Sequence, residues 1–270
     1  MMLEEKIERV YDILRDKIVI VAFSGGVDSS TIALLAKDVA KRVLAITADS
    51  QTVPLGEIGN AQRIAEEIGG ISHIIVKVDE LAHPEFVKNP DNRCYYCKKA
   101  LFTVLSEFRA QEGADLIVDG TNASELEGHR PGYVALKELG IRSPLAEAGI
   151  TKPEVREIAR SRGLSFADKP QLACLSSRIP YGQIITEEKI FRVGKAEKFV
   201  REALKDVRVL RVRDYDDFAK IEIGHNEFDK LFDNETINQI VAHLKDLGYK
   251  HVYLDLEGYK PMVPQLWKHK

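Results

Sequence analysis

The feature that most constrains this chain is an apolar run that ends in a glycine turn and continues into a helix. Residues 18–23, IVIVAF, are apolar throughout, which is typical of a strand buried on both faces of a sheet. SGGVDSS follows at 24–30, and TIALLAKDVAK at 31–41 has the pattern of a helix. A strand, a glycine turn and a helix form a βα unit, so the segment predicts a parallel sheet.

Similar units follow along the chain, after a first amphipathic helix over 2–15. Strand patterns alternate with helix patterns, and the predicted elements are a strand at 42–49, a helix through 61–69, a strand at 73–79, a helix around 98–111, a strand at 116–121 and a helix over 151–163. This alternation is typical of an α/β fold with a doubly wound, mostly parallel sheet. We assign residues 1–170 to this α/β domain, which is the predicted nucleotide-binding domain, and residues 171–270 to a second domain.

Residues 171–270 have a different pattern and predict a smaller C-terminal α+β domain. A connector without a clear period covers 165–185. The elements predicted beyond it are a helix over 186–204, two strands that flank 214–217, a helix over 227–247 and a last strand at 251–257. This order suggests a small antiparallel sheet with helices on it.

Composition excludes several classes of protein. The 270 residues are 44% hydrophobic, which is enough for a real core, and the net charge of -3 lacks the basic excess of a dedicated nucleic-acid binder. Three cysteines are an odd number and do not fit a secreted disulfide scaffold. No apolar stretch reaches the length of about eighteen residues that a membrane span needs. We therefore expect a cytoplasmic protein without a membrane or nucleic acid as partner.

The turn at 24–30, called the phosphate loop below, is a candidate nucleotide site. A turn from a parallel strand into a helix presents backbone N–H groups and the positive end of the helix dipole to an anion. Ser24 and Ser29 add hydroxyl donors, and Asp28 is placed to orient Mg²⁺. No lysine closes the loop, so it is not a Walker A motif. The predicted contacts to the nucleotide are Ala22, Ser24, Gly25, Gly26, Asp28 and Ser29, with Ser24 and Asp28 in catalytic roles.

Other strand ends extend this site, because ligands of open α/β sheets bind beyond the carboxyl ends of the strands. Ala48 ends one strand, and Gly120, Thr121 and Asn122 follow another. We expect these residues to hold adenine and ribose, with Gly120 allowing close approach. Lys152 begins a helix and resembles the phosphate-contacting lysine of several PP-loop enzymes, which implies the same contact here; the alternative is a solvated helix terminus.

The cysteines form a CxxC pair, Cys94 and Cys97, and a distant third, Cys174. Four interpretations fit the pattern: a redox pair, a zinc site completed by His83 or His129, three inert buried thiols, or an iron–sulfur cluster. A cubane cluster held by three cysteines leaves one iron open, which suits sulfur chemistry. Sulfide is also a good nucleophile for an adenylated carboxylate.

Several motifs together resemble a known family. SGGVDS after VAF resembles the PP-loop of the N-type ATP pyrophosphatases, which split ATP between the α- and β-phosphates. With RCYYCKKALF, DGTNASE, IRSPL and CLSSRIPYG in order, the sequence resembles the LarE family over nearly its full length. The resemblance implies ATP-dependent sulfur insertion into pyridinium-3,5-biscarboxylic acid mononucleotide, twice in all, with release of AMP and pyrophosphate.

The resemblance also implies roles for individual residues. One LarE branch sacrifices the sulfur of a single cysteine at the position of Cys174, whereas another holds a [4Fe-4S] cluster with three cysteines. Cys94, Cys97 and Cys174 match the second branch, which needs a sulfide donor. The substrate-binding residues that the resemblance implies are Ser176, Arg178, Arg211, Arg213 and Glu222. It further implies a homo-oligomer.

Without the resemblance, Arg211 and Arg213 would fit a solvated sheet face equally well, since residues two apart in a strand share a face. Two other functions compete with sulfur insertion. A tRNA-thiolating enzyme also combines a PP-loop with cysteines, but it would need a basic RNA-binding surface. A nucleotide-sensing regulator would leave the three cysteines without a shared purpose.

Overall fold

The computed structural model describes residues 2–126, 130–169, 173–231 and 233–260. The α-helices in chain order are α1 (Leu3–Leu14), α2 (Val27–Val39), α3 (Glu57–Ile68), α4 (Pro84–Val87), α5 (Arg93–Glu112), α6 (Pro131–Glu138), α7 (Pro144–Glu147), α8 (Lys152–Ser161), α9 (Glu187–Leu204) and α10 (Asn234–Asp246). The strands are β1 (Ile18–Ala22), β2 (Arg42–Asp49), β3 (Ser72–Lys77), β4 (Leu116–Val118), β5 (Leu210–Tyr215), β6 (Phe218–Ile223) and β7 (His251–Leu254).

The chain divides into two compact units. The first contains Met1–Ser50, Gly56–Glu80 and Asn92–Leu172, and the second contains Gln51–Leu55, Leu81–Asp91 and Ala173–Lys270. The sequence placed one boundary between residues 170 and 171. The second unit differs from that prediction because it also takes two short segments from the N-terminal half of the chain.

The first unit is built on a parallel sheet with the strand order β3-β2-β1-β4. Both faces are covered, because Val19 and Val21 pack into one hydrophobic cluster and Ile20 into another. Strands buried on both faces read as continuous apolar runs, which is why β1 was recognisable from its sequence. The predicted α/β fold with a mostly parallel sheet is confirmed.

Parallel pairing also brings the strand ends together. In the register of the sheet Ala22 lies beside Ile46, and Val21 lies beside Val118. The segments that follow β1, β2 and β4 therefore leave the sheet at the same edge. This edge carries the phosphate loop.

Helix α5 differs from its prediction. It begins at Arg93, five residues before the predicted start, and so includes both Cys94 and Cys97. The polar and aromatic residues of its first two turns hide the apolar period that marks its later part, where Ala100, Phe102 and Leu105 are buried. The CxxC pair therefore lies within the beginning of a long helix.

The second unit has a three-stranded sheet with the order β5-β6-β7. Strands β5 and β6 form the expected antiparallel hairpin, but β6 and β7 are parallel, so the prediction of an antiparallel sheet was wrong. Helix α10 lies between β6 and β7 in the chain and acts as a crossover, which returns the chain in the same direction.

The helix predicted over 227–247 is also different. It is a 3₁₀ helix at His225–Leu231 followed by the separate α10. Asp233 caps α10, because its carboxylate accepts hydrogen bonds from the N–H groups of Glu235 and Thr236 at 3.4 and 2.9 Å. Within the described segments, no helix has both the length and the apolar composition needed to cross a bilayer.

Candidate functional site

The phosphate loop is organised by two serine hydroxyls. Ser24 Oγ lies 3.1 Å from Ser29 Oγ and accepts a hydrogen bond from the N–H of Gly26 at 3.3 Å. Ser29 Oγ accepts from the N–H of Ser24 at 3.2 Å and lies 3.1 Å from the carbonyl of Gly26, to which it donates. These contacts fix the curve of the backbone at the N-terminus of α2. A pre-formed loop binds an anion without first having to be ordered.

Gly25 is required by the path of the loop. Its φ of +66° lies in the left-handed region, and a Cβ at this position would lie 2.7 Å from Cα of Ala61 in α3. Only glycine combines this conformation with such close contact. The loop is therefore held between the end of β1 and helix α3.

Asp28, the acidic residue of the loop, has two side-chain partners. It forms an ion pair with Lys152, the first residue of α8, and accepts a hydrogen bond from Nδ2 of Asn122 at 3.0 Å. Asn122 is completely buried. The sequence assigned Asn122 to adenine or ribose and Lys152 to phosphate, but in this structure both side chains orient Asp28.

Gly120 makes a close approach, but to protein instead of ligand. A Cβ on Gly120 would lie 2.6 Å from the backbone N of Ser29 and 2.8 Å from the backbone C of Asp28. The glycine therefore lets the chain after β4 pack directly on the first turn of α2. This packing role was not predicted from the sequence, and the contact of Gly120 with adenine or ribose stays a prediction.

The neighbouring Thr121 is held by the buried carboxylate of Asp119, which follows β4. Asp119 accepts hydrogen bonds from Oγ1 of Thr121 and from Oγ of Ser143, both at 2.6 Å. Ala22 and Ala48, the remaining predicted contacts to ATP, lie at the ends of β1 and β2 and are partly buried against the core. The predicted nucleotide residues of the first unit thus lie along one edge of its sheet.

A second carboxylate lies near Asp28. Burial and the charge of Asp28 raise the pKa of Glu125, and Arg130 and Lys152 partly offset this. Asp28, a carboxylate within the phosphate loop, fits Mg²⁺, which proteins hold through one or two carboxylates together with phosphate oxygens. The residues present therefore suit the metal that an ATP site needs.

Lys169, in the connector predicted at 165–185, also contacts the phosphate loop, although no motif in the sequence indicated it. Its Nζ donates to the carbonyl of Gly25 at 3.2 Å and forms an ion pair with Glu57 at 2.7 Å. Lysines in a loop carry no periodic signal, so composition alone could not place Lys169 here. A signal that could have identified Lys169 is its position in the connector at 165–185, directly after the 3₁₀ helix Ser165–Asp168.

The cysteines belong to different units, with Cys94 and Cys97 in the first and Cys174 in the second. None forms a disulfide, and Cys97 Sγ lies 3.6 Å from Oε1 of Glu80. Among the residues that the structure describes, no group of three or more His, Cys, Asp or Glu side chains is arranged to hold a metal ion. The predicted cluster and a zinc site with His83 are therefore not shown among the described residues, and His129 lies outside them.

Cys174 directly precedes a 3₁₀ turn at Leu175–Arg178. Its Sγ lies 2.9 Å from Oγ of the buried Ser176, and its carbonyl accepts hydrogen bonds from Ser177 Oγ at 2.7 Å and from Arg178 Nη1 at 3.1 Å. The backbone on both sides of the sulfur is therefore fixed. Ser176 has its predicted place beside Cys174.

Arg178 supports this turn from within the second unit. The side chain is fully buried, and its Nε and Nη2 bond both carboxylate oxygens of Glu197 at 2.6 and 2.8 Å. Nη1 bonds the carbonyl of Ala173 at 2.9 Å. Arg178 is therefore a positioning residue for the chain around Cys174, and its contact with substrate stays a prediction.

Arg211, Arg213 and Glu222 share one face of the small sheet, as the two-residue spacing predicted. All three are buried, which rules out the alternative of a solvated face. Arg213 is paired with Glu222 at 2.7 Å and also donates to the carbonyl of Ser177 at 3.1 Å. This last contact joins the arginine pair to the Cys174 turn.

Arg211 differs from Arg213 because it forms no ion pair within the described part of the chain. Its Nη1 donates to the carbonyl of Leu210 at 2.6 Å, and its guanidinium lies 5.2 Å from the centre of the Tyr259 ring. Burial and the nearby charge of Arg178 lower the pKa of Arg211. A buried guanidinium without a carboxylate partner is suited to an anionic ligand.

Comparisons with known proteins agree with this geometry. The sequence model of the asparagine synthase family matches residues 12–172. An uncharacterized protein of Synechocystis sp. is 40% identical, over 96% of both chains. Pyridinium-3,5-bisthiocarboxylic acid mononucleotide synthase of Lactiplantibacillus plantarum is 35% identical, over 90% of this chain and 87% of its own.

A more distant likeness covers part of another enzyme. The tRNA-specific 2-thiouridylase MnmA of Geobacter metallireducens is 28% identical over 64% of this chain and 59% of its own. Three findings indicate one family. They are the strand–glycine loop–helix unit, the match to the asparagine synthase model and the likeness to the synthase over nearly the whole chain. The chain belongs to the LarE family of PP-loop, ATP-dependent sulfurtransferases.

Proposed function

We propose that this enzyme inserts sulfur into pyridinium-3,5-biscarboxylic acid mononucleotide through an adenylated carboxylate. The observation that carries the proposal is the 35% identity over 90% of the chain to a synthase of the corresponding bisthiocarboxylate. The pre-formed phosphate loop with Asp28 and the buried arginine pair of the second unit support it. The product is the thiocarboxylate precursor of the nickel-pincer nucleotide.

In the first half-reaction, the loop N–H groups and the hydroxyls of Ser24 and Ser29 bind ATP phosphates. A carboxylate oxygen of the substrate attacks the α-phosphorus, the bond to the bridging oxygen breaks, and pyrophosphate leaves. Asp28 would hold Mg²⁺, which would neutralise charge on the phosphates. Lys152 and Asn122 hold the Asp28 carboxylate in place at this site.

In the second half-reaction, sulfide attacks the carbonyl carbon of the acyl adenylate and AMP leaves. Cys174 would help to hold this sulfide as one ligand of the proposed cluster, with Ser176 in contact with its Sγ. In the alternative route, Sγ of Cys174 itself displaces AMP to form a thioester, and loss of the Cα proton then breaks the Cβ–Sγ bond, which leaves the thiocarboxylate and a dehydroalanine. Arg211 binds an anionic group of the substrate, either its phosphate or a carboxylate. Arg213 and Glu222 hold the strand face on which this binding takes place.

A [4Fe-4S] cluster on Cys94, Cys97 and Cys174 remains a proposal supported by the number and order of the cysteines alone. The alternative is that Cys174 gives up its own sulfur. The need for an external sulfide donor and the homo-oligomeric state likewise remain proposals that rest on the resemblance.

The identity of the sulfur acceptor can be tested by pyrophosphate release. We expect release to require the pyridinium mononucleotide and to be unaffected by tRNA, because the net charge of -3 provides no basic excess for RNA. The likeness to MnmA makes thiolation of tRNA the second candidate. Pyrophosphate release stimulated by tRNA and indifferent to the pyridinium nucleotide would overturn the proposed acceptor.

Anaerobic reconstitution tests the cluster separately. Incubation of the wild-type chain with iron and sulfide should give a broad absorbance band at about 400 nm and about four iron atoms per chain. Cys94→Ser should lose both signals, whereas Ser106→Ala, a substitution of similar size in the same helix, should keep them. If Cys94→Ser retains full sulfur transfer, the cluster proposal is wrong and Cys174 acts alone.

A further inference from the structure

Lys169 occupies an unusual position for a loop lysine. Its ammonium group bonds the carbonyl of Gly25 at 3.2 Å, inside the phosphate loop, and its side chain is only 16% exposed. The partner acid is Glu57, in the first turn of α3, at 2.7 Å. A cation is thus already held against the loop on the side of Gly25.

The position of Lys169 is fixed by helix α8. Arg156 of this helix donates through Nη2 to the carbonyl of Lys169 at 3.0 Å and through Nη1 to the carbonyl of Ala167 at 2.5 Å. The same helix begins with Lys152, which pairs with Asp28. One helix therefore places two lysines at the phosphate loop, one directly and one through Arg156.

We propose that Lys169 is a binding residue for the β- and γ-phosphates of ATP, with Glu57 holding its ammonium group until the nucleotide arrives. The inference rests on the ATP step of the proposed function and adds a residue to it. A lysine ammonium binds phosphate as a mobile point charge with three donors. It can therefore keep its bond to Gly25 and exchange Glu57 for a phosphate oxygen.

This role helps the adenylation step as well as binding. When the substrate oxygen bonds to the α-phosphorus and the bridging bond breaks, the electron pair of that bond moves onto the leaving pyrophosphate. A fixed cation beside the β-phosphate stabilises this developing charge. The loop N–H groups alone offer dipoles but no full positive charge.

The test is the affinity of Lys169→Met for ATP with Mg²⁺, compared with its affinity for AMP, by titration calorimetry. The affinity for ATP should fall about ten- to a hundredfold, the usual effect of losing one charge-assisted hydrogen bond. The affinity for AMP, which lacks the β- and γ-phosphates, should change by less than about threefold. Lys169→Arg should recover most of the loss because it restores the charge.

Lys37→Met is the matched control, because Lys37 also bonds a backbone carbonyl, that of Ile68 at 2.6 Å, but from the last turn of α2. It should leave both affinities unchanged. Glu57→Gln should keep or increase the affinity for ATP. Two results would show that the lysine only braces the loop. One is a loss of affinity by Lys169→Met that is equal for ATP and AMP, and the other is a loss of ATP affinity in Glu57→Gln as large as that in Lys169→Met.

The outcomes also separate this assignment from the proposed function. If the wild type binds ATP and Lys169→Met binds it equally well, the assignment alone is overturned. If the wild type binds neither nucleotide, the proposed function falls and the assignment falls with it. If sulfur transfer to the pyridinium nucleotide is absent while the predicted ATP effects are found, only the proposed acceptor is wrong.

Discussion

Cys174→Ala should abolish sulfur transfer while the enzyme still releases pyrophosphate in the presence of its substrate. The two half-reactions use different groups, since the phosphate loop lies in the first unit and Cys174 in the second. Removal of the only group that performs a covalent step commonly lowers a rate by about 10³-fold or more. Thiocarboxylate formation measured by mass spectrometry, beside a pyrophosphate assay, would show whether the two activities separate.

Two variants sharpen this experiment. Cys174→Ser should be as inactive as Cys174→Ala, because it keeps the size of the side chain but not its sulfur. Ser176→Ala should lower the rate of sulfur transfer only about three- to tenfold, which is the effect of losing one hydrogen bond to Sγ. If Cys174→Ala transferred sulfur at the rate of Ser176→Ala, Cys174 would not be the sulfur carrier.

Gly120→Ala should destabilise the first unit and sharply reduce ATP-dependent pyrophosphate release. Its new Cβ would lie 2.6 Å from the backbone N of Ser29 and 2.8 Å from the backbone C of Asp28. Both contacts are with backbone, so neither can be relieved by a side-chain rotation, and α2 must move away from β4. We expect a loss of about 1–3 kcal/mol in the free energy of unfolding, as for an overpacked core.

Activity should fall further than stability suggests, because the shift occurs at the first turn of α2, where the loop N–H groups must meet the phosphate. Displacements near 1 Å at a positioned catalytic group can cost about a hundredfold in rate. Urea unfolding and pyrophosphate release would measure the two effects. Gly59→Ala is the control: it lies in α3, nothing lies within 4 Å of its new Cβ, and it should stabilise by about 0.5–1 kcal/mol. If Gly120→Ala and Gly59→Ala had the same free energy of unfolding and the same rate of pyrophosphate release, the packing role of Gly120 would be contradicted.

Much of the first unit was predictable because its strands are buried on both faces. Such strands give continuous apolar runs, and β1 and β2 were found within one residue of their observed ends. Helix α5 was harder, because its first turns carry Cys94, Cys97 and aromatic residues that face partly outward and obscure the period. The parallel pairing of β6 with β7 was missed because short strands carry no local signal of direction.

At the candidate site, residue types were easier to predict than partners. The spacing of Arg211 and Arg213 correctly placed them on one face, but the ion pair with Glu222 at 2.7 Å depends on a neighbouring strand. Asn122 and Arg178 were assigned to ligands, whereas they bond Asp28 and Glu197. A hydrogen bond joins residues 94 positions apart in the first case, and no local pattern encodes that choice.

The sequence by itself determined the α/β fold of the first unit, the phosphate loop and the family, since each depends on residues that are neighbours in the chain. Only the tertiary structure decided that Gly120 packs on α2, that Arg178 is a buried brace, and that Lys169 reaches Gly25. These roles depend on which distant segments fold against one another, and burial then makes each polar group take the nearest available partner. The backbone pattern sets where a loop lies, whereas long-range packing decides what each of its side chains can still offer to a ligand.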